Sequence, residues 1–138
     1  MKFTKKILLP LTLSLFMNPT FANTDNFQQL QKIAQQGHAG AQHDLGMMYA
    51  YREGIAKNDV KAFEWYSKAA NQGYALSQHN LGVRYETGQG VTKSDVKAFE
   101  WYSKAATQGY VPSQNNLASM YETGQGVTKS DVKAFEWY

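Results

Sequence analysis

The apolar positions of this chain recur with the period of a helix. From Asp59 to Gln72, a step of about 100° per residue puts Val60, Ala62, Phe63, Trp65, Tyr66, Ala69 and Ala70 on one continuous side and Lys61, Glu64, Lys68 and Asn71 on the other. Glu64 and Lys68 stand at the favourable i, i+4 spacing, and the whole segment reads as an amphipathic helix. Asp59 is its expected N-cap, and Gly73 is expected to follow its end with a left-handed backbone. The preceding stretch, Ala41 to Arg52, shows a second stripe of Ala41, Leu45, Met48 and Tyr49, with Gly46 beside it as a place of close backbone approach. It predicts a shorter first helix, joined to the next by a linker in which Gly54 supplies a turn of positive φ.

Both helices return every 36 residues without a gap, as Trp65-Tyr66, Trp101-Tyr102 and Trp137-Tyr138 show, and likewise Tyr49, Tyr85 and Tyr121. Tyr85 to Tyr102 is identical to Tyr121 to Tyr138, and Asp59 to Ala70 to Asp95 to Ala106, so a structural unit has been duplicated. Pro112 falls where the third first helix starts, a place where a missing N–H costs little. Phe27, Leu30, Ile33 and Ala34 followed by Gly37 predict a cap helix, the second half of an earlier unit. The chain therefore divides into residues 1–22, a half repeat 23–38, repeat one 39–74, repeat two 75–110 and a third repeat 111–138 that stops early. A helical hairpin of this kind has more apolar surface than it can bury alone, and stacking buries it. The expected fold is all-α, a right-handed α-solenoid of helix-turn-helix repeats. A period of 36 with glycine turns is not the heptad of a coiled coil.

Residues 1–22 read differently. A basic start through Lys6, the apolar run Ile7 to Met17 and the small residues of Thr20-Phe21-Ala22 form a secretory signal peptide, with cleavage expected after Ala22. That run is too short to cross a bilayer, which takes about 20 apolar residues, so no stable membrane insertion is expected after cleavage. The mature protein is expected to be periplasmic or secreted. Lys2, Lys5 and Lys6 also account for the formal charge of +3, because the remaining basic residues equal the 11 acidic ones. A neutral mature chain has no electrostatic basis for nonspecific nucleic-acid binding. The 138 residues contain no cysteine, which excludes disulfides, thiolate metal sites and a cysteine nucleophile.

Other candidate chemistry reduces to structure. Ser94-Asp95-Val96-Lys97 and Ser130-Asp131-Val132-Lys133 match an S-x-x-K string, but repeat one has Asn58 at the serine position, which caps a helix as serine does. His38, His43 and His79 lack a metal-ligand spacing and read as surface or groove residues. The Trp-Tyr pairs lie in the core-facing arc and read as packing rather than as an aromatic cage. Gln42, Gln78 and Gln114 recur near the core side as amides that bond backbone between units. The Gly-Gln-Gly-Val turns are not phosphate loops. No cofactor and no metal is expected.

Leu81-Gly82, Tyr85, Gly88-Gln89-Gly90-Val91, Asp95, Lys97-Ala98, Trp101-Tyr102 and Ala105-Ala106-Thr107-Gln108-Gly109 closely resemble the Sel-one-like repeat family, relatives of the tetratricopeptide repeat. Arg52 and Ile55 in repeat one and Ala118 in repeat three depart from that pattern. The resemblance implies a tetratricopeptide-like superhelix, with the first helices along its concave surface, that serves as an exported adaptor or scaffold for a protein or peptide partner rather than as an enzyme. Between repeats the second helices hardly differ while the first ones do. On their non-core side His43, Met47, Ala50 and Tyr51 form a second stripe, followed by His79, Val83, Glu86 and Thr87, then Asn115, Ser119, Glu122 and Thr123. This stripe is the candidate partner-binding surface, the alternative being a solvated face that drifted after duplication. Two alternatives stay open: an envelope hydrolase like the β-lactamase-labelled, cysteine-rich members of the family, whose paired cysteines this chain lacks, and an inactive fragment of a longer array. The third repeat stops eight residues into its second helix. The expected consequences are a frayed C-terminus, self-association through that uncapped end, or a chain truncated within a longer array.

Overall fold

The computed structural model describes residues 24–51 and 55–138. The expected leader, Asn23, and residues Arg52, Glu53 and Gly54 with the positive-φ turn expected at Gly54 lie outside the described residues. Among the described residues seven helices follow one another: α1 (Thr24–Gln35), α2 (Ala39–Tyr51), α3 (Asp59–Asn71), α4 (Ala75–Thr87), α5 (Asp95–Thr107), α6 (Val111–Thr123) and α7 (Asp131–Trp137). No strand occurs among the described residues. Each helix packs mainly on the ones before and after it. The result is an α-solenoid of hairpins α2–α3, α4–α5 and α6–α7, preceded by α1 in the place of a second helix.

Local sequence explains where these helices start and stop. Asn58, Ser94 and Ser130 sit in extended backbone, and their side chains accept the backbone N–H of Lys61, Lys97 and Lys133. Asp59 is thus not the cap that periodicity suggested but the first helical residue, since a cap needs an acceptor three residues ahead of an orphan donor. The same bonds give the S-x-x-K strings a structural role. Gly73 and Gly109 follow α3 and α5 with φ of +90° and +87°, a backbone that a residue with a Cβ seldom adopts.

Stacking repeats one pattern of contacts. Phe27 of α1 meets the Tyr49 ring edge-on at 6.1 Å, Phe63 meets Tyr85 at 5.4 Å, and Phe99 meets Tyr121 at 5.3 Å. Phe135, their counterpart on α7, is 83% exposed. Within each complete hairpin a tyrosine ring lies against bare helix backbone. A Cβ on Gly46 would come 2.7 Å from the Tyr66 ring and one on Gly82 would come 2.5 Å from the Tyr102 ring. Both rings are buried, together with Leu45, Leu81 and the alanines of α3 and α5. Between hairpins, a Cβ on Gly90 would collide with the carbonyl of Asp59, and one on Gly126 with that of Asp95. The glycine turns of repeats two and three are therefore pressed onto the N-terminus of the preceding second helix.

Candidate partner-binding face

The predicted stripe runs along α2, α4 and α6, and the structure divides it in two. One half belongs to the seams between repeats. His43 is buried: its Nδ1 lies 2.9 Å from Ser77 Oγ on α4, and its ring packs between Tyr66 at 5.5 Å and Tyr74 at 5.2 Å. His79 repeats the arrangement half-buried, with Nδ1 2.8 Å from Ser113 Oγ and its ring near Tyr102 and Tyr110 at 5.4 and 5.1 Å. Neither is the surface or groove histidine that the sequence suggested, because the cover comes from the following repeat, which the periodicity of one helix does not reveal. Burial holds both imidazoles below their ordinary value against the pull of Asp44 on His43 and of Glu86 on His79. Burial raises Asp44 in turn. Ala50, also assigned to the stripe, is buried in the core.

The other half is open. Tyr51 is 64% exposed, and Thr87, Asn115, Ser119, Glu122 and Thr123 are exposed as well, with Met47, Val83 and Glu86 half-buried at its border. The hydroxyls of Thr87 and Thr123 donate to the carbonyls of Val83 and Ser119 in their own helices, at 2.8 and 2.9 Å. Glu86 accepts a 2.6 Å hydrogen bond from the Tyr102 hydroxyl, which burial pushes far above the ordinary phenol range and which Asn116 also contacts. Glu122 accepts the equivalent bond from Tyr138 at 3.0 Å in the open.

The glutamines read from the sequence do bond backbone between units: Gln42 donates to Ala34 O at 3.0 Å, Gln78 to Ala70 O at 3.3 Å and Gln114 to Ala106 O at 3.1 Å. Sequence reasoning missed their partners. Gln72 donates to both Gly37 O and Gln42 Oε1, and Gln108 to both Gly73 O and Gln78 Oε1, so the amides form a ladder along the array. It also missed Arg84, buried in the seam with Nη1 2.7 Å from Asp59 Oδ1. The signal was present, because the other repeats carry Met48 and Met120 there. A cation at an apolar position demands a carboxylate. Trp65 and Trp101 are half-buried, with Lys68 and Lys104 ammonium groups 4.2 and 4.1 Å from their rings. Among the described residues no group of His, Asp and Glu could hold a metal ion, and no helix is long and apolar enough to cross a membrane.

Known proteins share this architecture. A family model described as Sel1 repeat matches residues 39–74, 75–110 and 111–138. The chain is similar to a Sel1 repeat protein from Oxalobacter formigenes, with a TM-score of 0.75 and 37% identity over 82% of this chain and 85% of that one. It is similar to a protective antigen of uropathogenic Escherichia coli strains that displays an SLR fold, at a TM-score of 0.79 and 38% identity over 81% of this chain and 24% of that one. It also resembles Helicobacter pylori cysteine rich protein B, at a TM-score of 0.60 and 28% identity over 80% and 84% of the two chains. A curated relative, an exopolysaccharide production negative regulator from Rhizobium meliloti (strain 1021), is 50% identical over 34 residues, 25% of this chain and 13% of that protein. The chain thus spans a small part of the regulator and of the antigen.

Proposed function

Because the chain belongs to the Sel1 repeat family, whose repeats commonly mediate protein–protein interaction, we propose that it is an exported, non-enzymatic adaptor whose partner docks on the open half of α2, α4 and α6. The observation that carries this reading is where the repeats diverge. Second helices are copied residue for residue, as Asp59 to Ala70 and Asp95 to Ala106 are, whereas Met47, Val83 and Ser119 differ at equivalent places on the first helices. Invariance suits positions fixed by packing, and divergence suits positions where each repeat meets a different part of a ligand laid along the array. The side chains there run from Met47 and Tyr51 at one end to Ser119, Glu122 and Thr123 at the other. A protein or peptide with an apolar end and a polar end fits that gradient.

A photoreactive amino acid placed at Thr87 or Ser119 tests the face. The expected result in native extract is one discrete protein adduct, weakened by Glu122→Lys and missing when the probe sits at the exposed Glu64 or Glu100 of the second helices. Adducts that do not depend on the face would refute the assignment. Export rests on the leader and cleavage after Ala22. The mass of the protein recovered outside the cytoplasm should correspond to a chain that starts at Asn23, and retention of residues 1–22 would contradict it.

A further inference from the structure

We propose that His43 and His79 make the coupling between neighbouring repeats sensitive to mild acid, so that protonation loosens the two seams and shifts α2, α4 and α6 relative to one another. The geometry is the same at both seams and nowhere depends on what the open face binds. Each imidazole bridges from the first helix of one repeat to a serine on the first helix of the next, through the 2.9 Å contact to Ser77 and the 2.8 Å contact to Ser113. Each is closed in by two tyrosines, one from its own hairpin's second helix and one from the junction that leads into the next repeat. His43, Ser77 and Ser113 are buried.

A proton arriving at such a ring places a cation in a packed seam, buried at His43 and half-buried at His79, where solvation is reduced. Around His43 the titratable and charged groups are Asp44 on its own helix, Tyr66 on α3, Tyr74 ahead of α4, and Arg84 on α4, whose guanidinium lies 5.8 Å from the Tyr66 ring centre. Around His79 they are Glu86 on its own helix, Tyr102 on α5 and Tyr110 ahead of α6, with the neutral Ser113 on α6. The four tyrosine rings stand 5.1 to 5.5 Å from the imidazoles at tilts of 46° to 61°, near enough for a cation–π attraction that offsets part of the desolvation cost. Glu86 is already engaged by the Tyr102 hydroxyl. Which group donates across each histidine–serine contact depends on the imidazole tautomer; in the tautomer whose Nδ1 accepts, protonation turns that atom into a donor and both partners must reorient within the seam.

The sign follows from linkage. An imidazole that burial keeps neutral takes up its proton more readily in the unfolded chain. Its contribution to stability is therefore complete above the ordinary value of 6.5 and is lost as the pH falls through that value toward the lower folded one. Asp44, raised by the same burial, works in the opposite direction on acidification and makes the response smaller.

Repeat three carries Asn115 at the equivalent place on α6, a residue without a titratable group, and asparagine is therefore the substitute used in the test. The test compares the wild-type chain with the double variant His43→Asn, His79→Asn. For the wild type, the denaturant midpoint is expected to fall between pH 7.5 and 5.0, with amide protection lost first at the α3–α4 and α5–α6 junctions. The double variant should lose the larger part of that fall. An equal fall in both proteins would overturn the proposal. Should the double variant not fold, His79→Asn alone and an imidazole NMR titration of the wild type decide: His43 and His79 are expected to take up protons at lower pH than free histidine, and titration at or above the free value would overturn it.

Discussion

Two seams built from nearly the same residues hold this array together by different polar means. Between repeats one and two, Arg84 is buried against Asp59 at 2.7 Å and lies over the Tyr66 ring. Between repeats two and three, the buried Met120 takes the place of that arginine and Asp95 is met by Gln125 at 3.1 Å, while within repeat two the Tyr102 hydroxyl is tied to Glu86. Both seams keep a histidine–serine contact, a glutamine that donates to a carbonyl of the preceding second helix and a glycine turn pressed onto a helix N-terminus. The apolar and backbone frame is therefore fixed by the requirement that hairpins cover one another, while the charged part of a seam is exchangeable as long as no buried charge is left without its counterpart.

The largest break should come from the frame. Gly90→Ala asks for a Cβ where the Asp59 carbonyl sits, at a φ of +73°. It is expected to cost about 3 kcal/mol or more in chemical denaturation, combining left-handed strain with overpacking. Gly126→Ala should cost a similar amount at the second seam. A variant as stable as wild type would mean that the turns do not bear on the preceding helices.

The ion pair comes next. Asp59→Asn leaves the 6% exposed Arg84 side chain without its counter-charge, while the carboxylate it loses is 33% exposed. About 1–2 kcal/mol is expected, less than for a fully buried pair because water reaches the aspartate. Arg84→Met, which copies repeat three, should stay within about 1 kcal/mol. The pair also predicts a pH response at the first seam. The hydrogen bond from Arg84 holds the Asp59 carboxyl below its ordinary value. Its contribution is therefore present above the unfolded aspartate value of about 3.9 and lost as the pH falls through the lower folded one. Asp59→Asn should remove that acid-range loss. A loss of the same size in both proteins would show that the pair does not couple to folding.

The smallest contrast lies in one hydrogen bond made twice. Tyr102→Phe removes a buried hydroxyl from the half-buried Glu86 and should cost about 1 kcal/mol. Tyr138→Phe, where the ring is 67% exposed, should be indistinguishable from wild type by the same denaturation measurement.

Much of this was legible in the chain. The 36-residue spacing, the glycines and the amphipathic stripe of Asp59 to Gln72 identify the hairpins, because helix periodicity and turn conformation are local properties. Gln42, Gln78 and Gln114 could be read as inter-unit amides because they recur beside the core. What escaped was set by contacts between repeats. His43 looks solvent-facing on its own helix and is buried by Tyr74 at the junction between units and Ser77 of the next unit. Ala50 falls on the outer stripe of a helical projection, yet it packs in the core shared by the first hairpins. Arg84 could have been recognised as a seam residue by setting it beside Met48 and Met120, a comparison across units rather than along a helix.

Hydrogen exchange of α3 in the Gly90→Ala variant tests most directly whether each repeat is held by its neighbour. The substitution lies in repeat two, and α3 belongs to repeat one. If the seam couples them, the amides of α3 should lose protection along with those of α4. Full protection of α3 beside a weakened repeat two would contradict the account, because each hairpin would then be standing on its own.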